Sequence, residues 1–315
     1  MRALVVDFGG SHATCGLVDD DRVVEHESVE VANAVSLEKI LPRIAECFRR
    51  MLAKHALLPA SCAGIAFGLP AVVDARTGAI LSTRTKYEDA GSLSLSEWSR
   101  ANFGLRFRIE NDARMALLGE NYAGAALGFE NVVMMTLGTG IGGATMIEGQ
   151  LLRGKHSQAG CLGGHLPVHF SGRPCCVCGA IGCAEAEASS WALPLIAKDW
   201  PNISESCLAE TVDELNFEQL FRAAEAGDSA ACEIRDRCLN VWGVAALAMV
   251  HAYDPEILVM GGGVLKQEAA IIPFVQNYLD KYAWTDWGKV QVKAAKLGNN
   301  AALLGAVPLL TEEFR

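Results

Sequence analysis

Val132-Val133-Met134-Met135-Thr136-Leu137 runs directly into Gly138-Thr139-Gly140-Ile141-Gly142-Gly143, with no polar linker between them. A short apolar run bounded by a turn reads as a buried strand. Glycine takes φ > 0 and lets the backbone come close to a ligand, so the amides of such a turn can ring a phosphate. The same order recurs twice. Ala3-Leu4-Val5-Val6 leads into Asp7-Phe8-Gly9-Gly10-Ser11, and Glu256 to Met260 leads into Gly261-Gly262-Gly263. Any one of these is adequately explained as a tight turn. Three of them, each at a strand end, point to phosphate binding. The glycines of 138–143 resemble a dinucleotide fingerprint, but no initial βαβ unit with a correctly spaced acidic residue accompanies them.

Outward from these turns, strands and helices alternate. Residues 3–31 read as a β-meander turning at Asp19-Asp20-Asp21. Leu37 to Lys54 carries apolar residues at helical spacing. Gly64 to Phe67 and Leu105 to Ile109 read as strands, and 112–127 as a helix. Ser229 to Tyr253 reads as a long helix stopped at Asp254-Pro255, since proline disfavours helix in the residue before it. Gln267 to Tyr282 is a further helix, Val290 to Ala294 a strand and Asn300 to Leu310 a last helix. The alternation predicts an α/β protein.

With 315 residues the chain has room for two domains. Half of it is apolar, enough for sizeable cores. The formal net charge of -10, with no block of Lys and Arg, argues against a nucleic-acid surface. No stretch reads as a signal peptide or a membrane span. An odd count of eleven cysteines, without an export signal, predicts cytoplasmic thiols and a metal cluster over a disulfide framework.

Two clusters carry chemistry. Glu110-Asn111-Asp112 stands at a strand-to-helix junction. A helix N-cap accounts for one of the three. A general base accounts for a second carboxylate, because a hydroxyl nucleophile must lose its proton as it attacks a phosphate. The other cluster is Cys176-Val177-Cys178 with Cys183, with His165 eleven residues before Cys176. Three thiolates and an imidazole suit a closed, structural tetrahedral zinc. Four cysteines between 175 and 183 are hard to explain as chance buried thiols. Cys175 is then spare, and Cys161 is a weaker competitor as ligand.

Together these residues resemble the ROK family (repressor, open reading frame, kinase) of bacterial sugar kinases and repressors, in order along nearly the whole chain. Asp7-Phe8-Gly9-Gly10-Ser11-His12 is similar to the family's first phosphate motif, D-x-G-G-T-K. Gly64 to Pro70, including Gly68, with Asp74, resembles G-x-G-x-P-G-x-V-D. Glu110-Asn111-Asp112-Ala113 resembles E-N-D-A, and Leu137 to Gly143 the second phosphate loop. His165 with Cys176, Cys178 and Cys183 resembles the zinc signature, Glu185 the glutamate of G-C-x-E, and Asp254-Pro255-Glu256 leading to Gly262 and Gly263 the adenosine-side motif.

The resemblance implies a two-lobed actin-like (ribonuclease H-like) ATPase fold with the active site in the interdomain cleft. The small lobe would be residues 1–114 plus 299–315, and the large lobe 115–298 with the zinc loop. It implies ATP-dependent phosphorylation of a free hexose, glucokinase-like and at the 6-hydroxyl, with N-acetylhexosamines, allose or fructose as alternative substrates. Asp112 would be the base. Gly68, Asn111, His165 and Glu185 would bind sugar. Asp7, Gly9, Gly10, Ser11, His12, Gly138, Thr139, Gly140, Gly142, Gly262 and Gly263 would hold ATP with Mg²⁺. The zinc would brace the loop carrying His165 and Glu185. A cytoplasmic homodimer is the implied state. Repressor relatives carry a DNA-binding domain before the first phosphate motif, and Asp7 leaves no room for one here.

Three positions depart from the family pattern. His12 and Ser11 replace Lys and Thr. Ala159-Gly160-Cys161-Leu162-Gly163-Gly164-His165 stands where the family reads A-G-E-x-G-H, so Cys161 replaces a sugar-contacting Glu. Thr83 to Tyr87 replaces an Asn-Leu pair. These changes suggest altered specificity, with a silent sugar-binding protein as the competing reading.

Overall fold

Arg2–Phe8 (β1), His12–Asp19 (β2) and Arg22–Glu30 (β3) form the predicted meander, with Asp20 in the left-handed region at the second turn. The computed structural model describes residues 1–9, 12–31, 36–83, 87–173 and 177–313. Gly10, Ser11 and Cys176, with Cys175 and 84–86, lie outside these. Strand β1 is apolar on both faces because it is central, while β3 alternates as an outer strand does. Leu41–Lys54 (α1) follows. It starts at Leu41, not Leu37, because Asp89 accepts the amides of Leu37 and Glu38 and holds that turn apart, and Pro42 suits the first helical turn.

Ile65–Leu69 (β4) pairs parallel to β1, and Phe107–Asn111 (β7) pairs parallel to β4. The sheet order is β3-β2-β1-β4-β7. Between them lie a hairpin of Ala71–Asp74 (β5) and Ala79–Thr83 (β6), and Leu95–Phe103 (α2). The hairpin and α2 were not foreseen. Asp74 closes the hairpin turn by accepting the Arg76 and Thr77 amides. Phe8, Phe67 and Phe107 pack edge to face at 5.3 and 5.0 Å in the core. Asp112–Ala123 (α3) leaves β7 without a linker.

Val132–Leu137 (β8), Ile141–Ile147 (β9) and Gln150–Leu151 (β10) make a second meander. Ala184–Ala188 (α4), Leu193–Lys198 (α5) and Phe217–Glu225 (α6) precede Ser229–Tyr253 (α7), whose bounds match the sequence expectation. Trp242 of α7 is fully buried and donates to the Ala188 carbonyl at 3.0 Å, so its one polar atom is satisfied. Ile257–Gly261 (β11) pairs parallel to β8. After Glu268–Tyr282 (α8), Gln291–Ala294 (β12) pairs parallel to β11, giving the order β10-β9-β8-β11-β12. The expected last helix is two pieces, Ala301–Leu304 (α9) and Ala306–Thr311 (α10), meeting at Gly305.

The chain forms two compact units, Met1–Gly128 with Arg153–Cys161 and Lys296–Arg315, and Phe129–Leu152 with Leu162–Ala295. This division differs from the one drawn after residue 114, because α3 packs into the first unit against α9. A Cβ on Gly119 would enter the Ala301 carbonyl, and one on Gly305 the Met115 carbonyl, so two glycines set this close crossing. The Glu120 carboxylate takes the amides of Lys296 and Leu297 at 3.1 and 2.8 Å and fixes where the chain re-enters. No described helix is long and apolar enough to cross a membrane.

Candidate active site

In the first unit, Asn111 ends β7 and caps α3, its side-chain oxygen accepting from the Arg114 amide at 3.3 Å. Its amide nitrogen donates to Asp112 at 2.9 Å and to the Ala71 carbonyl at 3.3 Å. Asp112 opens the helix, where a carboxylate suits the positive end of the dipole, and accepts from the Ala113 amide at 2.8 Å. Burial raises the Asp112 carboxyl above the usual range, against the pull of these N–H donors. Asp7, on β1, is raised to about 7 by desolvation and then by the charge of Asp112. Its parallel-strand partner is Gly68, where a side chain would press on Met115. The structure thus brings Asp7, Gly68, Asn111 and Asp112 together. Gly9 donates to the His12 carbonyl at 2.9 Å across the turn, and His12 is exposed.

Glu110 belongs to a different arrangement. It is fully buried, with Arg114 at 3.4 Å and Arg153 at 2.7 Å, and Arg153 holds Glu312 through two bonds of 2.7 Å. Arg114 also donates to the carbonyls of Ser157 and Ala159, at 3.2 and 2.6 Å. This network, which sequence reasoning missed, pins residues 153–161 to the helix that begins with Asp112. Its one sequence signal is the Glu110/Arg114 pair, four apart. Cys161 ends that segment, its thiol directed at the Gln158 carbonyl at 3.4 Å. Burial raises its pKa, so it is held as a thiol, not a thiolate.

In the second unit, the glycine turns after β8 and β11 meet. Gly262 has φ 92°, and a side chain there would enter the Leu137 backbone. The loop 138–140 is closed by a bond of 2.9 Å from the Gly138 amide to the Gly140 carbonyl. Gly142 lies within β9, opposite Thr136. Gly163 and Gly164 pack on the backbone of Gly143 and Ile141, which sets His165 beside β9. Glu185, on α4, accepts from the Ile141 amide at 2.9 Å and from Trp191 Nε1 at 3.4 Å.

The ligand atoms of His165, Cys178 and Cys183 lie within 4.8 Å of one another. That spacing suits a shared tetrahedral ion with bonds of roughly 2.0–2.3 Å. The Ala180 amide donates to Cys178 Sγ at 3.4 Å. At Gly182, φ is 64° and a side chain would enter the His169 carbonyl, so only glycine lets the chain double back before Cys183. Glu187, buried, receives the Arg173 amide and Arg237, and ties this loop to α7. Among the tryptophans, Trp242 is core, whereas Trp284 is 82% exposed. His251, in the last turn of α7, accepts from the Trp284 amide at 3.0 Å.

The sequence profile of the ROK family matches residues 3–313. The glucokinase of Thermotoga maritima is 30% identical, over 100% of this chain and 98% of its own. A ROK hexokinase from Thermus thermophilus has a TM-score of 0.79 at 29% identity, covering 98% of this chain and 97% of that one. A ROK family glucokinase from Streptomyces griseus, solved in complex with glucose and AMPPNP, has a TM-score of 0.80 at 28% identity, covering 98% and 99%. The actin-like ATPase fold of these kinases is therefore the fold of this chain.

Proposed function

The chain belongs to the ROK family, and from that premise we propose that it transfers the γ-phosphoryl group of ATP to a hydroxyl of a free hexose, with glucose the leading substrate and the 6-hydroxyl the acceptor. The observation that carries this reading is Asp112, a buried carboxylate with a raised pKa, positioned by Asn111 at a helix start. A base whose pKa is lifted toward the operating pH is a better proton acceptor for a hydroxyl. The hydroxyl oxygen forms its bond to the γ-phosphorus as the bond to the β,γ-bridging oxygen breaks, and its proton passes to Asp112. ADP leaves with the bridging oxygen.

The amides of Gly138, Thr139, Gly140 and Gly142, with Gly262 and Gly263, cradle the nucleotide in this reading, and Gly9, Gly10, Ser11 and His12 approach its phosphates. Asp7 fits a Mg²⁺ role. A carboxyl raised by burial and by the charge of Asp112 gains from a divalent cation, and Mg²⁺ when bound neutralises charge on the β- and γ-phosphates. Gly68, Asn111, His165 and Glu185 orient the sugar. The donor set His165, Cys178 and Cys183, with Cys176 as fourth ligand, fits structural zinc, which when bound would brace the loop presenting His165 and Glu185. A cytoplasmic homodimer accompanies this reading.

A coupled assay of ADP release, over glucose, other hexoses and N-acetylhexosamines, tests the function. Turnover on one sugar that Asp112→Asn abolishes supports it. A folded protein that binds ATP and turns over none of them favours a silent sugar-binding role, consistent with Cys161 at the position of a sugar-contacting Glu. Elemental analysis tests the metal: one zinc per chain, lost in Cys183→Ser, is expected, and a metal-free preparation with an unchanged melting temperature would remove zinc from the account.

A further inference from the structure

Glu185 stands in this reading as a sugar ligand, yet its carboxylate is engaged elsewhere in the structure. One oxygen takes the Ile141 amide at 2.9 Å, at the point where the glycine loop becomes β9. The same oxygen packs so closely on Gly140 that a Cβ there would overlap it. The other oxygen receives Trp191 Nε1 at 3.4 Å. Two backbone bonds extend this seam. The Ser190 amide donates to the Gly138 carbonyl at 3.1 Å, and the Trp191 amide to the Thr139 carbonyl at 3.2 Å. Every residue of the loop from Gly138 to Ile141 is thus held from one side by the segment 185–191.

The contact at Ile141 differs in kind from the rest. A hydrogen bond from a backbone N–H to a carboxylate is charge-assisted, roughly twice as strong as a neutral one. It fixes the end of the loop where the turn becomes β9, and Gly140 is required there because any side chain would displace the carboxylate.

We propose that Glu185 is a positioning residue for the phosphate loop as well as a sugar ligand, so that sugar binding and nucleotide binding are coupled through its carboxylate. This rests on the reading of 138–142 as the nucleotide's phosphate loop and of Glu185 as a sugar contact. A sugar hydroxyl donating to Glu185 draws on the same carboxylate that orders the loop. Linkage then makes the effect reciprocal: the factor by which sugar changes nucleotide affinity equals the factor by which nucleotide changes sugar affinity.

Calorimetric titration with Mg²⁺ and AMPPNP, in the absence of any sugar, tests this on the whole chain. A residue that only touches sugar would leave this affinity unmoved. Glu185→Ala is expected to weaken it by roughly 10- to 100-fold, the range for a lost hydrogen bond to a charged group. Glu185→Gln keeps an acceptor oxygen for the Ile141 amide and should recover most of that loss while its KM for sugar stays raised. In the wild type, saturating sugar should change nucleotide affinity by roughly 5-fold or more, and in Glu185→Ala that change should vanish. Should Glu185→Ala fail to fold, Trp191→Phe removes the other donor and should weaken nucleotide binding by roughly 2- to 10-fold. Wild-type nucleotide affinity in Glu185→Ala, or in Trp191→Phe where the first is unfolded, overturns the coupling and leaves the kinase reading intact. A wild type that binds no nucleotide overturns both.

Discussion

The two units are built on sheets of the same order and polarity, three antiparallel strands followed by two parallel ones, yet they end their central strands differently. In each, the next-to-last residue of the central strand faces a glycine across a parallel pair: Asp7 opposite Gly68 in the first unit, Thr136 opposite Gly261 in the second. The first unit therefore places a carboxyl where the second places a neutral hydroxyl. Around Asp7 the first unit adds Asp112, and both acids are raised by burial. The second unit instead brings two glycine turns together and holds one of them with the Glu185 carboxylate. One scaffold thus yields a pair of acids in one unit and two packed glycine turns in the other.

The largest effect expected from breaking this asymmetry is at Asp112. Asp112→Asn keeps the shape and the Asn111 contact and should lower kcat by ~10² to 10⁴, with nucleotide affinity retained. In the wild type the acidic limb of kcat/KM against pH should lie above the ordinary carboxylate range, because burial raises Asp112. Next comes the buried ion network peculiar to the first unit. Arg114→Met leaves Glu110 with one cation fewer and frees the carbonyls of Ser157 and Ala159. Urea unfolding should show a loss of about 3–5 kcal/mol, with kcat falling as the 153–161 segment loosens. Gly119→Ala forces α3 away from α9 and should cost about 1–3 kcal/mol, read in the same unfolding experiment.

The last effect is a slope. Because Asp7 is raised to about 7 in the folded protein, the unfolded chain gives up this proton near pH 4 and the folded one only near pH 7. Stability of the ligand-free protein should therefore fall as pH rises from about 4 to about 7. Asp7→Asn should flatten that part of the profile, whereas Thr136→Val in the second unit should leave it unchanged. Thermal melts across this range, without Mg²⁺, check both.

Much of the site was legible because it depends on residue type and order. The strands ending in Gly138 and Gly262, the Asn111-Asp112 junction and the group His165, Cys178 and Cys183 all lie where their local pattern predicts. The bounds of α7 were legible for the same reason, since Asp228 caps it and Asp254-Pro255 stops it. The β5–β6 hairpin was not, because its strands are short and half exposed and carry no clear alternation. The break at Gly305 was hidden because Asn300 to Leu310 is apolar throughout, and what interrupts it is the close approach of α3. The exposure of Trp284 was equally hidden, as composition does not say which side of a helix end faces solvent.

The sequence by itself determined the α/β class, the three glycine turns, the candidate base and the metal-ligand group, since each is set by local periodicity or by side-chain chemistry at short spacing. Tertiary structure alone decided that α3 and residues 153–161 join the first unit, that Glu110 serves a buried ion network while Asp112 beside it stands at the helix start, and that Glu185 holds the glycine loop. Those outcomes rest on contacts between residues more than forty positions apart, such as Glu110 with Arg153 or Ile141 with Glu185, and on burial, which raises a carboxyl only once the chain has closed around it.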